Sequence, residues 1–265
     1  MPAPSVLNEH NVRTIGNPDG QPLLFAHGFG CDQRMWRYVT PAFTDRYRVV
    51  LFDYVGAGRA TRAFDPQRYA TLGGYADDVV AIIEALDLRD VIFVGHSVSA
   101  MIGVLAVKQA AERFSKTVMI GPSPRYIDDE GYVGGFAAED IEELLENLES
   151  NYLGWSGAIT PVIMGNADRP ELTEELNNSF CQMDPQIAYT FAETTFKADN
   201  RADLPHHHLP TLVLQCSQDH IAGKEVGAYT AAHLPRATLV ELDATGHCPH
   251  LSAPDETIAA IAAFV

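Results

Sequence analysis

Short apolar runs alternate with helical patterns along most of this 265-residue chain. Strand-like runs fall at Pro22–Ala26, Arg48–Phe52, Asp90–Val94, Lys116–Ile120, Thr211–Gln215 and Ala237–Leu242, and helical patterns cover Leu72–Leu86 and Val98–Arg113 between them. Such alternation predicts a mainly parallel sheet with helices on both faces. Ser5–Ile15 is expected to supply the edge strands. Ile258, Ile261, Ala262 and Val265 recur at helical spacing, so Asp255–Val265 is expected to pack back on the sheet.

Between Ile120 and Pro210 the alternation stops. Ile141, Leu144, Leu145, Leu148 and Tyr152 form one apolar stripe at i, i+3, i+4, i+7 and i+11, with Glu142, Glu143, Glu146 and Glu149 outside it. Further helices are expected near Gly154–Met164, Pro170–Cys181 and Pro185–Phe196, with Asp168 and Asp184 forming turns ahead of prolines. The expected fold class is therefore α/β: a core of residues 1–121 and 209–265, and a four-helix cap, residues 122–208, inserted in the same domain. Phe136, Trp155, Phe191 and Phe196 are candidates to line a pocket beneath the cap, although for each alone core packing is the better explanation.

The chemistry concentrates at Gly95-His96-Ser97-Val98-Ser99, where the apolar strand ending at Val94 turns into a small-residue helix. A nucleophile elbow needs this arrangement: one hydroxyl at the tip of a tight turn, beside free helix N–H groups that meet a developing oxyanion. Small residues must flank the serine, and at Ser99 the usual glycine is replaced by the next smallest polar residue. A serine hydroxyl also needs a histidine to take its proton and a carboxylate to orient that histidine. In this architecture the order along the chain is Ser, acid, His. Asp219 lies in the turn after the strand at Thr211–Gln215, and His247 lies in the loop behind Ala237–Leu242, so both fall past strand ends, where open α/β sheets bind ligands. Ser97, Asp219 and His247 are the candidate catalytic set. Asp243 competes with Asp219 but sits at a strand end. His250 competes with His247 but follows Pro249 and lacks a preceding glycine, and His220 fits a solvent-facing or locally packed position.

Leu23–Ala26 runs into His27-Gly28-Phe29-Gly30, which places the backbone N–H of Phe29 as a second oxyanion donor beside that of Val98. The His27 side chain itself reads as structural. Phe29 and His96 complete the candidate pocket. Three consecutive histidines, His206 to His208, cannot all face one ion and read as a polar loop. Gly56-Ala57-Gly58 lacks the third glycine and the following helix of a dinucleotide loop. No metal site and no cofactor is expected.

The segments His27–Gly30, Phe52–Gly58, Gly95–Gly103 and Gly246–His250 resemble the α/β-hydrolase branch that contains the bacterial stress-response regulator RsbQ and the plant karrikin and strigolactone receptors. The likeness runs almost end to end and includes Gly121–Tyr126, Phe180-Cys181, Asp184-Pro185 and Leu214–Cys216. In that branch serine is common at the position of Ser99. The resemblance implies an α/β-hydrolase fold and a low-turnover hydrolase that acts on or senses a small hydrophobic ester or lactone, with signalling through a protein partner.

Composition narrows the partners. A chain of this length suits one large α/β domain. No apolar stretch approaches the roughly 18 residues needed to span a bilayer, and Met1-Pro2-Ala3-Pro4 lacks the charged region and apolar core of a secretory signal. Cys31, Cys181, Cys216 and Cys248 are scattered, as in a reduced cytoplasmic protein. The formal charge of −17 excludes nucleic acid and anionic membranes as partners. Between Tyr126 and Asp203 there are 17 acidic residues against Arg169, Lys197 and Arg201, so this stretch carries −14 of that charge. Solvated helix faces account for it, and so does an acidic surface that a signalling partner recognises.

Overall fold

A computed structural model describes residues 5–265, and the reading of Met1–Pro4 lies outside the described residues. Helix α1 (Val6–Glu9) and strand β1 (Arg13–Gly16) lead into β2 (Gln21–Ala26) and β3 (Tyr47–Leu51). Helix α2 (Leu72–Ala85), β4 (Val91–His96), α3 (Val98–Ala110) and β5 (Phe114–Ile120) follow. Four helices then intervene: α4 (Ala138–Ser150), α5 (Tyr152–Met164), α6 (Pro170–Phe180) and α7 (Pro185–Phe196). The chain closes with β6 (Thr211–Gln218), α8 (Lys224–His233), β7 (Ala237–Thr245), α9 (Pro249–Ser252) and α10 (Pro254–Phe264).

The seven strands form one sheet in the order β1-β3-β2-β4-β5-β6-β7, parallel except that β1 runs antiparallel to β3. Every residue of β4, the central strand, is buried, as a parallel strand covered on both faces requires. Leu24 pairs with Phe93, and Val94 with Val118, so successive strand ends keep in step and deliver their following loops to one edge of the sheet. No helix among the described residues is long and apolar enough to cross a membrane.

The structure departs from the sequence expectation at element ends. Ser5–Ile15 supplies one edge strand rather than several, because Ser5 caps a short helix by accepting from the Asn8 N–H. Tyr152 does not extend the stripe of α4: Asn151 ends that helix and its side chain accepts from the Gly154 N–H, starting α5. Asp90 takes φ +53° and the strand begins one residue later. Strands β6 and β7 run three residues past their apolar runs, to Gln218 and Thr245. The His206–His208 loop is not wholly solvated either. His207 is buried against Thr117, whose hydroxyl lies 2.9 Å from its Nε2, and burial pushes the imidazole down to about 4.

Beyond β3 the loop winds around Asp53. This buried carboxylate accepts from the backbone N–H groups of Gln33 (2.9 Å) and Arg59 (3.0 Å) and from the Asn11 amide (2.7 Å). It therefore gathers three loops behind the functional end of the sheet, and it accounts for Gly56-Ala57-Gly58 as a turn that brings Arg59 back. Removing it strands the buried Gln33 N–H and frees the partly buried Asn11 and Arg59 donors, at a cost of about 1–3 kcal/mol for each group left unpaired and buried. Asp53→Ala is expected to lower unfolding free energy by about 2–4 kcal/mol in urea titrations; a loss below about 0.5 kcal/mol would contradict this role.

Candidate active site

Ser97 sits between β4 and α3 at φ +56°, ψ −125°, a conformation a non-glycine residue adopts only when its surroundings impose it. Its N–H donates to the Ile120 carbonyl (2.8 Å), which fastens the turn to the end of β5. The turn is so tight that a Cβ at Gly95 would stand 2.6 Å from the Ser99 carbonyl oxygen. Ser99 takes the place of a second glycine and uses its hydroxyl. It donates to the His27 carbonyl (2.5 Å) and lies 3.0 Å from the Tyr54 hydroxyl. His27 is buried, which holds its imidazole below the usual range, and its neutral ring accepts from the Tyr54 N–H and pairs with the Gly28 carbonyl. Ser99 and His27 thus join the start of α3 to the loop after β2, the two segments that carry Val98 and Phe29.

His247 brings the far end of the chain to this turn. Its Nε2 is 2.8 Å from the Ser97 hydroxyl oxygen, and its Nδ1 is 2.7 Å from a carboxylate oxygen of Asp219. The other carboxylate oxygen of Asp219 accepts from the N–H groups of Ile221 (2.8 Å) and Ala222 (3.0 Å). Burial pushes this carboxyl up; the His247 charge and hydrogen bond and the two backbone N–H groups outweigh it, and the net direction is downward. An ionised carboxylate accepts only, so the proton on Nδ1 belongs to His247, and Nε2 is left to accept from Ser97. The loop is held by three backbone bonds: Gly246 N–H to Gln218, His247 N–H to the Ile163 carbonyl of α5, and the His247 carbonyl to the His96 ring, at 2.7, 2.8 and 2.8 Å. Burial, with the neighbouring His247 adding to it, pushes His96 down to about 3, so it stays neutral.

The rival residues lie elsewhere. The Asp243 side chain is exposed on β7 and His220 is exposed beyond Asp219. His250 is fully buried, with its ring 4.6 Å from that of Trp36. Among the described residues, the N–H groups of Phe29 and Val98 have no hydrogen-bond partner within the protein.

Ser97 and His247 open into a cavity roofed by α4, α5 and α7. Phe29, His96, Phe136, Trp155 and Phe196 line it. Phe191 does not: it lies behind Phe29, stacked on Tyr75 with ring centroids 4.2 Å apart. A phenylalanine on the inward face of α7 meets either the cavity or the sheet's flank, and helical spacing does not distinguish the two. Tyr126, Leu144, Ile159, Ile163 and Ile221 also line the cavity, and the sequence marked none of them as a pocket residue. Tyr126 is buried, and burial pushes its hydroxyl up to about 12. Tyr126 lies in an irregular loop, where periodicity carries no signal. The cavity is narrow, with about 40 Å3 of open space. A larger open groove of about 490 Å3 lies beyond Cys31 and Leu176; Arg34, Arg37 and Glu175 charge it, and it touches none of the three central side chains.

Comparison with known proteins places nearly the whole chain beside known hydrolases and receptors. The profile of the alpha/beta hydrolase family matches residues 23–260. A strigolactone esterase of Arabidopsis thaliana is 41% identical over 252 residues, covering 94% of each chain. A karrikin insensitive 2 receptor of Petunia hybrida is 40% identical over 251 residues, 94% of this chain and 93% of its own. A solved hydrolase of Oleispira antarctica superposes with a TM-score of 0.95 at 40% identity, covering 98% of this chain and 95% of its own.

Gly121 offers a test of the geometry. It takes φ +56° at the end of β5, and a Cβ there would stand 3.0 Å from the His247 ring and 3.4 Å from Asp219. Gly121→Ala is expected to slow labelling of Ser97 by a fluorophosphonate about tenfold or more, since small displacements of reacting groups carry large rate penalties, while the far-ultraviolet spectrum stays native. Labelling at the parent rate would count against the arrangement.

Proposed function

We propose that this chain, which belongs to the alpha/beta hydrolase family, is a serine hydrolase that cleaves small hydrophobic esters or lactones through an acyl-enzyme. The observation that carries this reading is the unbroken line from Asp219 through His247 to Ser97, at 2.7 and 2.8 Å, ending in an enclosed apolar cavity. Ser97 attacks the carbonyl carbon while His247 Nε2 takes its proton. The free N–H groups of Phe29 and Val98 receive the negative oxygen, and Asp219 stabilises the imidazolium. His247 then returns the proton to the leaving alkoxide, which stays tethered to the acyl group when the substrate is a lactone. Water, deprotonated by the same nitrogen, releases the acid.

The lining supports the substrate class. Phe29, Phe136, Trp155, Phe196 and Ile159 offer an apolar surface, and no basic side chain other than the two histidines faces the cavity to hold a charged acid group. With so little free space, a substrate enters by displacing side chains of the roof, so a short acyl group is favoured. The names of the relatives, an esterase and a receptor, fit cleavage and sensing alike. A second reading, ligand sensing with slow turnover, has its own support in the His247 N–H bond to Ile163. That bond ties the roof to the catalytic base, and events at Ser97 thereby reach the exposed acidic faces of the helical insertion, where a basic signalling partner would dock. We assign residues 122–208 to a cap over the 1–121 and 209–265 core on the same grounds. The four unpaired cysteines suit the reducing cytoplasm.

Ser97→Ala is expected to reduce hydrolysis of p-nitrophenyl acetate by about 10⁴ or more, and Asp219→Asn by about 10⁴; either variant at the parent rate removes the mechanism. For the sensing reading, hydrogen exchange across α4–α7 is expected to change when a butenolide acylates the protein and to stay constant with Ser97→Ala. Exchange identical in all samples would leave cleavage alone.

A further inference from the structure

Beside His247, three side chains present ligating atoms to one another without an evident use in ester cleavage. His96, Cys248 and His250 are 2%, 1% and 0% exposed, and one ligand atom from each lies within 4.8 Å of the others. Nδ1 of His96 and both ring nitrogens of His250 have no hydrogen-bond partner, and neither has the nearby Trp36 Nε1. His96 uses its Nε2 hydrogen on the His247 carbonyl, so its Nδ1 presents a bare lone pair. Each buried, unpaired polar atom costs about 1–3 kcal/mol, and several of them gathered in one place call for an occupant.

We propose that His96, Cys248 and His250 form a site for a soft d10 cation, with monovalent copper the best match. Two imidazoles and one thiol, with no carboxylate among them, select soft ions over calcium, magnesium or manganese. Charge selects within the soft ions. A ligating imidazole is neutral, so the bound thiolate supplies the only negative ligand. A monovalent ion makes the set neutral, whereas zinc leaves a net positive charge in a dry interior. On binding, the Cys248 thiol proton leaves to solvent, the metal–sulfur bond forms, and nothing changes oxidation state. Bonds of about 2.0–2.3 Å imply donor separations near 3.5 Å, so the three side chains draw together when the ion binds. His96 and Cys248 both face the substrate cavity, which is the entry path.

The consequence falls on His247. One ligand holds its carbonyl and another is its chain neighbour, so the bound ion repositions the base and acts as an inhibitor. The site stands apart from the hydrolase reading, and its occupancy is measured without turnover.

The test uses the full chain carrying Cys181→Ser, which removes the exposed thiol, and copper(I) offered anaerobically against the chelator bicinchoninate. One equivalent is expected to be retained, with one sulfur and two nitrogen neighbours in X-ray absorption. Adding Cys248→Ala or His250→Gln is expected to weaken retention at least tenfold, and zinc is expected to be held less tightly than copper. No stoichiometric copper, retention unchanged by Cys248→Ala, a first shell of nitrogen alone, or zinc held more tightly would each overturn the proposal.

Discussion

One backbone turn sets the terms for the rest of this protein. Holding Ser97 at positive φ between a fully buried strand and a helix exposes its hydroxyl, and it also leaves the first helical N–H unpaired beside it. The neighbouring sequence answers that demand. Gly95 makes room for the returning chain, and the Ser99 hydroxyl bonds where a glycine would contribute nothing. The strain of one residue is absorbed by a dry network that runs through His27 and Tyr54. The same network fixes the distance between the two segments that supply the oxyanion donors, so backbone strain and site geometry are parts of one arrangement.

What could be read from the chain follows from which physical signals are local. Buried strands such as Val91–His96 are nearly continuous apolar runs, and their order with intervening helices implies a parallel sheet. The Ser, Asp and His positions were legible because each follows such a run, so topology alone brings them to one edge. Element ends were less legible. Asn151 ends one helix and starts the next through its side chain, and the extension of β7 to Thr245 depends on pairing with β6, which no local pattern records. Within the pocket, Phe196 and Phe191 occupy the same helix and carry the same side chain, yet one meets the cavity and the other packs behind Phe29. Tertiary packing decides between them. Tyr126 lies in a loop, where hydrophobic period has no meaning.

The helical insertion combines two unlike surfaces. Its inner face is apolar and lines the cavity, while Glu142, Glu143, Glu146 and Glu149 face water on the outer side of α4. Hydrophobic contact holds the roof down; like charges along its outside keep it soluble and resist a second layer of acidic protein. Enclosure lowers the dielectric around Ser97 and strengthens each hydrogen bond there, so the same closure that restricts ligand size also sharpens the chemistry.

The order of the chain has a consequence for how this protein is made. Five neighbouring strands, β1 to β5, form with Ser97 among them, and β6 and β7 follow in the chain and join along a single edge of the sheet. His247 arrives only after the whole insertion and both last strands. At the roughly 5–20 residues per second of synthesis, the alcohol therefore spends many seconds without a base. Under the proposed mechanism the growing chain stays silent until β6, β7 and the loop that carries His247 have joined the sheet.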